Sequence, residues 1–184
     1  RNAPELAVRA ERAGVQAITV HGRTRNQFYS GIADWRSVAD VKAATRLPVI
    51  VNGDIVDTHS ARQALQASGA DAIMIGRGAY GRPWIAAALD KALSEGRALV
   101  EPSLATRFGI VLEHFRDSLK FHGDLHGVRI FRKHLGWYVE RAPYPLSAAL
   151  RRAAKSRLCR LTSPREIESE LIALWSGAEC ALAA

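Results

Sequence analysis

The chain has 184 residues, 48% of them apolar, and a formal net charge of +8. That is enough for one ordinary domain, or one and a fraction, with a real core. It contains no apolar run of about 18 residues to span a bilayer and no charged start leading into an apolar export signal, so no membrane partner is expected and the cytosol is the expected compartment. The charge is uneven: residues 1–96 carry 12 Lys/Arg against 9 Asp/Glu, residues 97–165 carry 14 against 5, and residues 166–184 carry none against 4. A basic middle segment is the footprint expected for a polyanion such as RNA, although a solvated helical surface gives the same composition. Cys159 and Cys180 lack metal-ligand spacing and read as ordinary reduced thiols, and no metal site is expected.

In chain order, Pro4 to Ala13 reads as a helix with Asn2 as N-cap and Gly14 as its stop. Ala17 to Val20 reads as a strand, Trp35 to Ala44 as a helix capped by Asp34, and Pro48 to Val51 as the next strand. Thr58 to Ser68 is another helix closed by Gly69, and Ala72 to Ile75 is a continuous apolar run expected to be a strand buried on both faces of a parallel sheet. The strand, loop, helix repeat predicts βα units with right-handed crossovers. Three strands cannot close a barrel, and no G-x-G-x-x-G follows the first strand to mark a dinucleotide fold. Phosphate-type loops after the last two strands fit strands seven and eight of a (β/α)₈ barrel. The expected fold is therefore α/β, the C-terminal half of a TIM barrel over residues 1–97, leaving a sheet edge to be covered by an upstream segment or another chain. Beyond Ala98 no β-rich run remains, and helical windows at 104–121, 128–140, 146–158 and 164–175 predict an all-α bundle domain over 98–184. Gly123, Pro143 with Pro145, and Thr162-Ser163 separate these windows, and Ser163, Pro164 and Glu166 form a capping-box-like start.

The polar chemistry sits at three strand ends. His21-Gly22-Arg23-Thr24-Arg25 follows the first strand, where histidine can donate to a ring oxygen or phosphate and Arg23 and Arg25 can hold phosphates; a loop histidine with two solvated arginines is the alternative. Asn52-Gly53-Asp54 follows the second, and is also an ordinary turn sequence. Gly76, Gly78 and Gly81 follow the third, where missing Cβ atoms open the backbone to a ligand and a helix starting near Pro83 offers N–H groups. With Arg77 adding charge-assisted bonds, Gly53 and Gly76-Arg77-Gly78 predict a cup for a phosphorylated ligand such as FMN. In the helical part, Arg129, Arg132 and Lys133 fall near one helix face suited to a phosphate backbone, while Trp137 and Tyr138 stack on bases or fill the core, with Trp137 favoured as packed.

H-G-R-T-R-x-Q-x-Y-x-G-x-A-D-W at 21–35, V-N-G-D-I at 51–55, I-G-R-G-A-x-G-x-P-W at 75–84 and R-K-H-L-G-W-Y at 132–138 together resemble the tRNA-dihydrouridine synthases, most closely the bacterial B-type branch. The resemblance covers nearly the whole chain. It implies an FMN-containing barrel followed by a helical tRNA-binding domain, with NADPH reducing the flavin and hydride passing to a uridine of tRNA. It also implies flavin contacts at His21, Asn52, Gly53, Asp54, Gly76 and Arg77. The family's catalytic cysteine, which protonates the uracil ring, belongs to the first half of the barrel, and neither Cys159 nor Cys180 lies in a matching motif. The expectation is a monomeric C-terminal part that lacks the N-terminal half of its barrel, carries no catalytic residue and is inactive alone. A non-catalytic tRNA-binding module is the alternative, which an initiator Met near residue 1 would favour and which the sequence does not show. A barrel enzyme acting on a small metabolite is a third reading, and the basic helical part argues against it.

Overall fold

The computed structural model describes residues 2–144 and 146–176. Arg1, Pro145, Cys180 and Glu179, one of the four acidic residues of the C-terminal stretch, lie outside them. The chain divides into two compact units, Arg1–Ala79 with Ile85–Val100, and Tyr80–Trp84 with Glu101–Ala184.

The first unit is a three-stranded parallel sheet with helices. In order it contains α1 (Ala3–Arg12), β1 (Ile18–His21), a 3-10 turn (Arg25–Gln27), α2 (Arg36–Ala44), β2 (Val49–Asn52), α3 (Thr58–Ser68), β3 (Ala72–Met74), a second 3-10 turn (Arg77–Ala79) and α4 (Ile85–Ser94). The strands stand in the order β1-β2-β3, with Val20 beside Val51 and Val51 beside Ile73. Local signals set the boundaries. The Asp57 side chain accepts from Ser60 N at 2.7 Å to open α3, and Gly69 closes it at φ +63. Asn2 occupies the N-cap position of α1 without a side-chain cap bond, while Asp34 caps α2 by accepting from Ser37 N at 3.2 Å.

Alternation along the strands gives the sheet two unlike faces. Val49 and Val51 are fully buried and share a core with Val38, Ile55, Ala61, Ala64, Ile85 and Leu89, with Ile18, Val20 and Ile73 packed against it. The other face presents Thr19, His21, Ile50, Asn52, Ala72 and Met74. Here the expectation of a β3 buried on both faces fails: Ala72 is exposed and Met74 is 45% exposed. The apolar run is real, but among the described residues β3 has a neighbouring strand only on the β2 side, and no other strand meets its outer edge.

The second unit is built from α5 (Leu104–His122), α6 (Asp124–Glu140), α7 (Ala148–Arg160) and α8 (Pro164–Ser176), preceded by the segment Tyr80–Trp84. Its core gathers Phe115, Phe131, Leu135, Tyr138, Leu158, Ile167, Leu171 and Trp175, each at most 1% exposed. Helix α6 starts at Asp124, a full turn before the expected Val128, and Gly127 lies inside it. A Cβ there would stand 2.8 Å from Ser118 O and 2.9 Å from Leu119 Cα, so glycine lets α5 and α6 pack closely. Among the described residues, no helix is long and apolar enough to cross a membrane.

Candidate functional site

Parallel register brings three polar strand ends to one edge of the first unit's sheet. His21 lies beside Asn52, and Asn52 beside Met74, two residues before Gly76. His21 ends β1 rather than following it. Its Nδ1 accepts from Arg23 N at 3.1 Å, which puts the proton of the neutral ring on Nε2 and makes that nitrogen a donor. Asn52 donates from Nδ2 to Met74 O at 2.7 Å, tying β2 to β3 and leaving its amide oxygen as an acceptor.

Asp54 is the hub of the site. Its carboxylate accepts from Arg23 Nη2 at 2.5 Å, Ala33 N at 2.8 Å and Arg77 Nη2 at 3.2 Å. Burial alone would raise the Asp54 carboxyl, but the hydrogen bonds from Arg23 and Ala33 and the charges of Arg23 and Arg77 hold it below its ordinary value. Asp54 takes φ +55 and Gly53 φ +121, so the Asn52-Gly53-Asp54 segment is a sharply turned loop and not an extension of the strand. A Cβ on Gly53 would stand 2.8 Å from Ala33 Cβ, and Gly53 O accepts from Trp35 Nε1 at 2.8 Å.

Arg23, expected to reach RNA phosphates, is turned inward. Its side chain is 4% exposed, donates to Gly31 O at 2.7 Å as well as to Asp54, and keeps a buried Nη1 with no partner. It braces the 22–34 loop. Arg25 is exposed on the 3-10 turn of that loop. Arg77 is 47% exposed and lies over the Tyr29 ring at 4.6 Å, a contact that the sequence reading did not find and that the polar loop 21–35 signals only by containing an aromatic. Phe28, next to it, holds φ +46, a left-handed value rare for a bulky side chain.

The three glycines after β3 have different roles. A Cβ on Gly76 would meet nothing within 4 Å, so its backbone is open to a ligand. A Cβ on Gly78 would stand 2.4 Å from Ile55 O, and one on Gly81 would stand 2.5 Å from Trp137 O. Those two serve internal packing, correcting the expectation that all three open the backbone to a ligand. The helix expected near Pro83 begins at Ile85, and Arg77–Ala79 is a single 3-10 turn, so Gly76 and Arg77 remain as the candidate anion-binding elements.

In the second unit Arg129 and Lys133 are exposed on α6, and Arg132 is half-buried with an unpartnered Nε. Tyr138 is core, with its hydroxyl 2.8 Å from His114 Nδ1, and Trp137 stacks on Tyr80 at 3.7 Å. Burial pushes the Tyr138 phenol up. It also lowers His114, while burial together with the His114 and Lys133 charges lowers His134 to about 4. The sequence reading singled out α6 but not α7, whose Arg152, Lys155 and Arg160 are also exposed. Lys155 Cε would stand 2.9 Å from a Cβ on Gly136, so its stem crosses α6 at that glycine. The signal was present in the same basic segment. Among the described residues, no group of three or more His, Cys, Asp or Glu side chains is placed to hold a metal ion.

Residues 1–170 match the family model for dihydrouridine synthase (Dus). Among similar proteins are a probable tRNA-dihydrouridine synthase of Rickettsia bellii, 50% identical over 143 residues (78% of this chain and 44% of the relative), and one of Rhodobacter capsulatus, 52% identical over 152 residues (83% and 47%). The tRNA-dihydrouridine synthase B of Xanthomonas axonopodis pv. citri is 46% identical over 151 residues, covering 82% of this chain and 45% of its own. The chain spans about half the length of the relatives it matches. With that match extending through both compact units, the chain belongs to the dihydrouridine synthase family.

Proposed function

We propose that this chain is the C-terminal part of a flavin-dependent reductase that converts uridine to 5,6-dihydrouridine in tRNA with NADPH as reductant. The first unit is half of a (β/α)₈ barrel, and the second is a helical RNA-binding domain. The observation that carries this reading is the meeting of His21, Asn52, Gly76 and Arg77 at one sheet edge, next to a sheet face that no other strand among the described residues covers. The residues fit FMN: Gly76 leaves room for a phosphate at the backbone, Arg77 supplies a half-exposed guanidinium, and His21 Nε2 is a donor. Asp54 fits as the anchor that orients Arg77, since a carboxylate has no proton to offer a phosphate. Gly53 makes the turn that sets Asp54. When bound, the flavin supplies hydride transfer to the uracil ring.

The RNA would lie on Arg129, Arg132 and Lys133 of α6, with Arg25 adding a cation at the first unit's loop. Arg23 is not kept in this set. Cys159 donates weakly to Arg132 O at 3.6 Å within the helical unit, so it is no candidate for protonating uracil, and Cys180 lies outside the described residues. On this reading, no cysteine among the described residues is placed to protonate uracil. Two tests bear on this reading. The flavin-loaded chain, given NADPH and a tRNA transcript, should form no dihydrouridine by nucleoside mass spectrometry, and product formed without further protein would contradict the assignment. Replacing Arg132 and Lys133 together by Ala should weaken tRNA binding and flatten its dependence on salt by about two ion contacts; unchanged binding removes α6 from the interface.

A further inference from the structure

The hairpin between α5 and α6 ends in a patch that the helical core does not require. Phe121 is 84% exposed and Leu125 71% exposed, on either side of Gly123. The close approach at Gly127 holds the two helices together immediately behind them, so both side chains stand on a rigid tip. The rim is cationic or polar: Lys120, His122, His126 and Arg129 are all exposed, against Asp117 and Asp124. His122 meets the Phe121 ring edge-on at 4.7 Å. Leu125 and Arg129 are one turn apart on α6, and Arg132 and Lys133 follow on the next, so the apolar tip continues into the basic row.

We propose that this tip is a stacking platform for an unpaired RNA base, with Phe121 as the ring that receives it and Lys120 and Arg129 holding the adjoining phosphates. An exposed aromatic beside a cationic row suits unstacked nucleotides, whose bases offer a π-face and whose backbone offers charge. A paired stem offers phosphates alone and has no use for the ring. The inference rests on the RNA-interface reading above and adds to it a preference for unpaired structure.

The test compares the chain's affinity for a tRNA transcript with that for a blunt, fully paired RNA duplex of similar length, by fluorescence anisotropy. Phe121→Ala should weaken tRNA binding by about tenfold and leave duplex binding unchanged, while Phe121→Trp restores the tRNA affinity. The salt slope should not move in Phe121→Ala, because no cation is lost. Equal losses on both RNAs, or no loss on either, would overturn the platform. Sedimentation in which wild type is a dimer and Phe121→Ala a monomer would overturn it too, making the tip a contact between copies. If the Arg132 and Lys133 double variant weakens both RNAs while Phe121→Ala weakens neither, the RNA face stands and only the platform falls. A wild-type chain that binds neither RNA removes both.

Discussion

The two units treat their charged groups in opposite ways. In the first, Arg23, Asp54 and Arg77 converge on one network at the strand ends, beside an open sheet face bearing Met74 and Ile50. In the second, the core is closed around Phe115, Phe131 and Trp175, while Arg129 and Lys133 of α6 and Arg152, Lys155 and Arg160 of α7 are exposed. On the proposed reading, charge gathered inward in the first unit orients a small ligand, and charge spread outward in the second meets a long polyanion.

Damage to one core should leave the other unit intact. Phe131→Ala removes a ring that is 1% exposed and should destabilise the helical unit by about 4 kcal/mol, while urea unfolding and hydrogen exchange show the sheet unit's protection unchanged. Asp54→Asn keeps the left-handed backbone tolerable but leaves Arg23 without its carboxylate, and should cost the sheet unit about 3 kcal/mol, as breaking a largely buried pair does. Gly78→Ala forces a clash with Ile55 O and should lower stability by about 2 kcal/mol, whereas Gly76→Ala should alter it by less than about 0.5 kcal/mol in the same melts.

Titration gives the smallest and most selective effect. His134 is lowered from 6.5 to about 4 by burial and by the charges of His114 and Lys133, so the unfolded chain takes up its proton first. The stability this lends the helical unit is full above pH 6.5 and is lost as pH falls towards about 4. Asp54 is lowered from 3.8, so its contribution to the sheet unit is full above 3.8 and is lost only below it. As pH falls from 6.5 to 4, protection from hydrogen exchange, corrected for the intrinsic exchange rate, should therefore drop in α6 and not in the 22–34 loop.

Much of this architecture is legible in the sequence where the signals are local. The Asp57 cap and Gly69 stop define α3, and the apolar runs mark all three strands to within a residue at either end. What escapes the sequence is decided by partners distant along the chain. Arg23 reads as a free cation until Asp54, 31 residues away, turns it inward. Gly78 reads like Gly76 until Ile55 O is seen against it. Met74 reads as buried because an apolar run carries no record of which neighbouring strands are present.

The most direct test of the account is the affinity of the chain for FMN compared with riboflavin, which lacks only the phosphate, followed by quenching of flavin fluorescence in wild type and in Gly76→Val. A phosphate cup at Gly76 and Arg77 predicts that FMN binds at least about tenfold more tightly, since a charge-assisted bond contributes roughly 1.5–3 kcal/mol, and that Gly76→Val abolishes the difference without changing stability. Equal affinity for the two flavins, or an unaltered preference in Gly76→Val, would contradict it.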